Sequence, residues 1–130
     1  MRMLTDHKVN SANDVIEIAV TDEPGAGGAN HRYEISGFDV TKNASADGET
    51  RPGMHVVLFQ NGPIAEAGVN GITQEVLIAI CIDRLRSFQT GPYACRENAI
   101  ALTKLEEARL WLHSRTLSRM ARGVEGTHIA

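Results

Sequence analysis

The side chains with the greatest chemical potential lie in residues 93–122. This segment opens acidic, with Glu97, Glu106 and Glu107, and then carries Arg109, Arg115, Arg119 and Arg122 without another acid. Arg115, Arg119 and Arg122 follow i, i+4, i+7 spacing, which places all three on one side of a helix within about two turns. Two readings fit that pattern. Cations in the last turns of a helix complement its macrodipole from a solvated face, and a guanidinium cluster is also suited to bidentate contact with phosphate.

Other chemistries have weaker support. Glu106 and Glu107 are adjacent and so point in different directions from a helix, whereas general acid–base work needs carboxylates that converge. His7, His31, His55, His113 and His128 show no metal-ligand spacing, so no metal is expected. Cys81 and Cys95 form no C-x-x-C pair and read as reduced core residues; Cys95 falls near a helix N-terminus, where a thiolate is favoured. The Gly-rich residues 22–30 are followed by no helix and no Lys-Ser/Thr pair, both of which a phosphate loop requires. No cofactor is implied.

A chain of 130 residues is enough for a single domain with a core. The formal charge of −3 argues against a general nucleic-acid binder, which presents a broad basic surface. The charge is also unevenly placed: residues 1–70 hold ten acids and five bases, residues 71–130 six and eight. An anion site therefore belongs in the C-terminal half. The longest apolar run, residues 76–82, is far short of a membrane span, and the first residues lack the apolar core of a signal peptide, so a cytoplasmic protein is expected.

The elements that would position these groups follow from periodicity. Residues 1–13 show none and read as a flexible arm. Residues 14–70 are β-rich, with strands predicted at 15–20, 33–40 and 54–60, a bulge at Gly37 where the alternation slips, and a polar loop over 42–53. Residues 72–122 read as a helical hairpin and 123–130 as a tail. Thr73 is the expected N-cap of the first helix, whose stripe of Val76, Leu77, Ile80, Leu85 and Phe88 runs to Gly91-Pro92. The second spans about 94–122, is stopped by Gly123, and packs through Ala101, Leu102, Leu105, Ala108, Leu112 and Trp111. The fold class is α+β: a small antiparallel β-sheet followed by a long C-terminal α-helical hairpin that covers it. A second helix of about 43 Å overhangs such a sheet, which predicts a homo-oligomer.

Several strings carry a family resemblance. They are Phe59-Gln60-Asn61-Gly62-Pro63-Ile64, Gly68-Val69-Asn70-Gly71, Ile82-Asp83-Arg84-Leu85, Gly91-Pro92-Tyr93-Ala94-Cys95, Thr103-Lys104-Leu105-Glu106-Glu107-Ala108 and Arg122-Gly123-Val124-Glu125-Gly126-Thr127. Together they resemble the phage Thoeris anti-defence sponge family, first type, over about residues 31–128. The resemblance implies a non-enzymatic protein that captures TIR-derived cyclic ADP-ribose isomers intact; some members also take up cyclic di- or trinucleotides. It implies a homo-oligomer, dimer or hexamer, in the host cytoplasm. Carried over by motif, Phe88 resembles the aromatic that stacks on adenine, Asn98 a polar contact, and Arg115, with Arg119 by proximity, the groups on the pyrophosphate. Thr127 is a candidate contact from a tail that either closes over the ligand or caps the helix. Taken alone, Phe88 also reads as a core aromatic and Asn98 as a helix-terminal hydrogen bond. Where the family often has acids before its last arginine, this chain has Thr116-Leu117-Ser118, which leaves the end more positive and Leu117 available for an interface.

Asn98 and Arg115 are seventeen positions apart, about 25 Å along a straight helix. A single ligand that touches both must lie between two copies of the chain. The rival readings are a nucleic-acid or protein-interaction module using the arginine face, which lacks a groove-reading motif, and a nucleotide hydrolase, which lacks converging carboxylates.

Overall fold

The computed structural model describes residues 1–50 and 52–130; residue 51, in the predicted 42–53 loop, lies outside them. The chain forms two compact units, Met1–Gly62 and Pro63–Ala130.

The first unit is a four-stranded antiparallel sheet in the order β1-β2-β3-β4, built from β1 (Arg2–Leu4), β2 (Glu17–Val20), β3 (Arg32–Ser36) and β4 (Met54–Leu58). A helical turn, α1 (Ser11–Val15), joins the first two, with the Asn10 carboxamide accepting from the Asn13 N–H at 2.8 Å in the usual N-cap manner. The register sets Val20 opposite Tyr33 and Tyr33 opposite Val57. Val20 is buried at 1% exposure, and the Phe59 ring meets Tyr33 edge-on at 5.5 Å.

Three expectations are corrected here. The supposed flexible arm contributes β1, in which Arg2 pairs with Val20 and Leu4 with Ile18; a strand of three residues is too short to show alternation. The next strand starts at Glu17 and not at residue 15, because Ser11–Val15 is helical. Gly37 ends β3 and makes no bulge: its φ is +88, and a Cβ there would sit 2.0 Å from the Val15 carbonyl oxygen, so only glycine lets the two backbones pass.

The second unit holds the hairpin. A single turn, α2 (Ile64–Ala67), precedes α3 (Gln74–Gln89) and α4 (Arg96–Ala121), both within two residues of their predicted bounds. Thr73 occupies the N-cap of α3 in extended conformation but its side chain makes no capping bond. The predicted apolar stripe on α3 needs correction. Ile82 is the buried residue at 3% exposure, while Val76 and Ile80 are exposed. On α4, Leu102, Leu105, Ala108 and Leu112 are half-buried as expected, but Ala101 is exposed and Trp111 is 72% exposed. The hairpin therefore leaves much apolar surface open to water.

The two ends of the long helix

The predicted binding residues fall into two groups, one at each end of α4. At its N-terminal end, the α3–α4 turn is closed by backbone bonds from Gly91 N–H to the Phe88 carbonyl and from Ala94 N–H to the Gly91 carbonyl, both 3.2 Å. The Gln89 carboxamide oxygen accepts from Cys95 N–H at 3.1 Å. Cys95 is the N-cap, its Sγ accepting from Asn98 N–H at 3.4 Å. Both cysteines are free and exposed, which corrects the core assignment; Cys95 has the weak acceptor that a cap position can use.

This turn brings Phe88 and Asn98 together through a residue that sequence reasoning did not single out. The Tyr93 ring stands edge-on to Phe88, with centroids 6.1 Å apart and planes at 80°, while Asn98 Nδ2 donates to the Tyr93 carbonyl at 3.3 Å. Tyr93 is 71% exposed; Phe88 and Asn98 are half-buried. Arg84, one turn before Phe88 on α3, holds its guanidinium carbon 5.2 Å from the Phe88 ring centroid. Its neighbour Arg86 instead pairs with Glu106 of α4 at 3.0 Å. The result is an aromatic corner with an amide, a phenol and a cation on its rim, a set suited to a planar base beside an anionic group. Tyr93 lay within the quoted turn motif, and an aromatic there was the available signal.

The C-terminal end is built differently. Gly123, at φ +71, follows the helix, and its N–H donates to the Met120 carbonyl at 3.0 Å while Val124 N–H donates to the Arg119 carbonyl at 3.0 Å. This is the paired closure of a Schellman motif. The tail then turns back onto Arg119, which is only 7% exposed. Its guanidinium donates to Glu125 Oε2 at 3.1 Å and to the carbonyls of Ile129 at 2.6 Å, Val124 at 3.0 Å and Thr127 at 3.2 Å. Thr127 is half-buried, its hydroxyl donating to the Val124 carbonyl and accepting from Ile129 N–H. The Gly126 carbonyl accepts from Ala65 N–H at 2.9 Å, tying the tail to α2.

The three-arginine face thus divides into separate environments. Arg115 is exposed, Arg119 is buried in the tail, and Arg122 is exposed with one bond to the Ala130 carbonyl at 2.8 Å. Spacing placed them on one side of the helix, but the tail that covers Arg119 has no periodicity from which its path is legible. Phe88 and Asn98 each meet Tyr93, and Arg119 meets Thr127 directly. Within one chain the unbroken α4 holds Asn98 and Arg115 about 25 Å apart.

A short antiparallel sheet leading into a two-helix hairpin, with an aromatic–amide corner at one end of the long helix and a guanidinium at the other, defines a small α+β hairpin-domain protein. The Acb2/Tad1 hairpin domain model matches residues 54–117, which identifies that segment as an Acb2/Tad1 hairpin domain. Thoeris anti-defense 1 of Bacillus phage SBSphiJ7 is 58% identical to it over 72 residues, 55% of this chain and 51% of that protein. The chain therefore spans about half the length of the curated relative it matches. The matched family segment includes Phe88, Asn98 and Arg115 and stops short of Arg119 and Thr127.

Proposed function

We propose that this chain is a phage anti-defence protein that binds TIR-derived cyclic ADP-ribose isomers and sequesters them intact, without catalysis, in the cytoplasm of the infected cell. The reading extends to cyclic di- and trinucleotides as further ligands. Its relative is by name a Thoeris anti-defense protein, and the aromatic corner supplies what a purine needs.

The observation that carries the reading is the division of complementary chemistry between the two ends of one rigid helix. Phe88 stacks on the adenine and Asn98 contacts its polar edge or the adjoining ribose. Arg115, from the antiparallel α4 of a second copy, holds the pyrophosphate. Arg119 and Thr127 act one turn beyond it, Arg119 by ordering the tail that carries Thr127. A homo-oligomer, at least a dimer, is then a condition of binding, and the exposed Leu110, Trp111, Leu117 and Met120 of α4 supply apolar surface for it. Exposed apolar helix faces of this kind are what isologous pairing buries.

The test is uptake and release. The purified chain is incubated with the cyclic ADP-ribose isomers, freed of unbound ligand by filtration and heat-denatured, and the released molecule is identified by mass spectrometry. Release of the unchanged isomer establishes sequestration. A hydrolysed product would mean an enzyme, and no depletion of any cyclic nucleotide would shift the reading to an interaction module.

A further inference from the structure

Resting on that reading, we propose that Arg84 is a specificity residue of the same site: it rests over the Phe88 ring, yields that face to the purine, and carries its charge to the ligand's pyrophosphate. Three observations support this. Arg84 and Phe88 are spaced i, i+4 on α3, so their side chains share a face, and the guanidinium carbon lies 5.2 Å from the ring centroid. Arg84 is exposed while Phe88 is half-buried, so the face it covers is the outward one. Two residues on, Arg86 is engaged with Glu106 at 3.0 Å, whereas Arg84 rests on a ring.

That separation decides the geometry. A base inserted between ring and guanidinium needs about 3.5 Å on each side, the optimal separation of stacked carbon atoms, or about 7 Å in all, more than the gap present. The guanidinium must therefore leave when the purine arrives. The exchange favours the ligand, because base–aromatic stacking is stronger than a cation–π contact at an exposed site. Once displaced, Arg84 is a flexible cation anchored one turn from the stacked base, and a pyrophosphate is the nearest anion in the ligand. Bidentate contact there adds to that of Arg115. Arg84 thus opposes binding of an uncharged nucleoside and favours a nucleotide carrying phosphate.

The experiment compares the unaltered full chain with Arg84→Ala and Arg84→Lys by calorimetric titration of adenosine and of a cyclic ADP-ribose isomer. Arg84→Ala is expected to bind the cyclic ADP-ribose isomer about tenfold more weakly and with a shallower salt dependence, since one fewer phosphate contact is made, yet adenosine as well or up to about threefold better. Arg84→Lys retains a point charge without the planar fork and is expected to fall between. A merely structural role for Arg84 moves both ligands in the same direction, and that result would overturn the proposal. So would equal affinity of all three proteins for the cyclic ADP-ribose isomer, with the function above left standing. Failure of the unaltered chain to take up that isomer would overturn both.

Discussion

The N-terminal end of α4 keeps its functional groups open, whereas the C-terminal end directs most of its own inward. Around Phe88 the contacts are edge-on rings, a cation–π contact and an amide bond to a backbone carbonyl, each worth about 0.5 to 1.5 kcal/mol and exchangeable against a ligand. Around Arg119 four charge-assisted bonds converge on a single buried guanidinium, a network in which loss of the hub strands its partners. The same residue type thus serves opposite ends. An arginine over an aromatic ring is poised to move, and an arginine enclosed by carbonyls fixes the chain that encloses it.

The largest effect should come from the closed end. Arg119→Ala is expected to cost about 3 kcal/mol of stability, since several bonds to one charged group are lost, and to expose the tail to protease; urea unfolding and limited proteolysis measure both. Loss of ligand uptake with stability and tail protection unchanged would instead make Arg119 a direct ligand group and erase the contrast. At the open end, Phe88→Ala should weaken uptake of a cyclic ADP-ribose isomer by about 2 kcal/mol, the worth of one stacked base. Phe88→Ala also gives up the contacts with Tyr93 and Arg84 and should lower stability by about 1 to 2 kcal/mol. Arg115 is exposed at the other end of α4, so Arg115→Ala should lose uptake by a similar amount with thermal stability nearly unchanged. Mixing the two variants sharpens the point, because a site shared between copies is repaired in mixed dimers and roughly one quarter of the sites should return on random pairing. No recovery on mixing would show that each copy binds alone.

Smaller changes probe how each end is closed. Gly123→Ala should cost about 1 kcal/mol, because φ +71 is disfavoured for a residue with a Cβ; its melting temperature should fall with ligand affinity preserved at low temperature. Cys95→Ala removes only a sulfur acceptor at 3.4 Å and should destabilise by a few tenths of a kcal/mol. A large loss of uptake in that variant would mean that the cap orients Asn98 and that the open end is more rigid than its contacts indicate.

Much of the architecture was legible because it is periodic. The strand at Arg32–Ser36 coincides with an alternating stretch and that at Met54–Leu58 with a short, mostly apolar run, and the helix bounds at Thr73 and Gly123 coincide with polar or glycine punctuation. Arg2–Leu4 was not legible, since its pairing with β2 depends on a partner distant in sequence. Ile80 and Val76 were assigned to the core by spacing, yet Ile82 is the residue that packs inward; an α3 with apolar residues around most of its circumference has no single face to read. For the site, the turn at Gly91-Pro92 was legible, and Phe88 and Asn98 each meet Tyr93 within it. The fate of Arg119 was not, because it is fixed by a tail whose carbonyls, and not its side chains, make most of the contacts.

The uninterrupted run of α4 from Arg96 to Ala121 has a rotational consequence as well as a linear one. At about 100° per residue, the step from Asn98 to Arg115 leaves the two side chains roughly 100° apart in azimuth, so the helix sets a bearing together with a distance. Deleting one residue between them would shorten the separation by only about 1.5 Å but turn the cationic end by about 100°. A site shared between the ends of two such helices would be more sensitive to the phase of α4 than to small changes in its length.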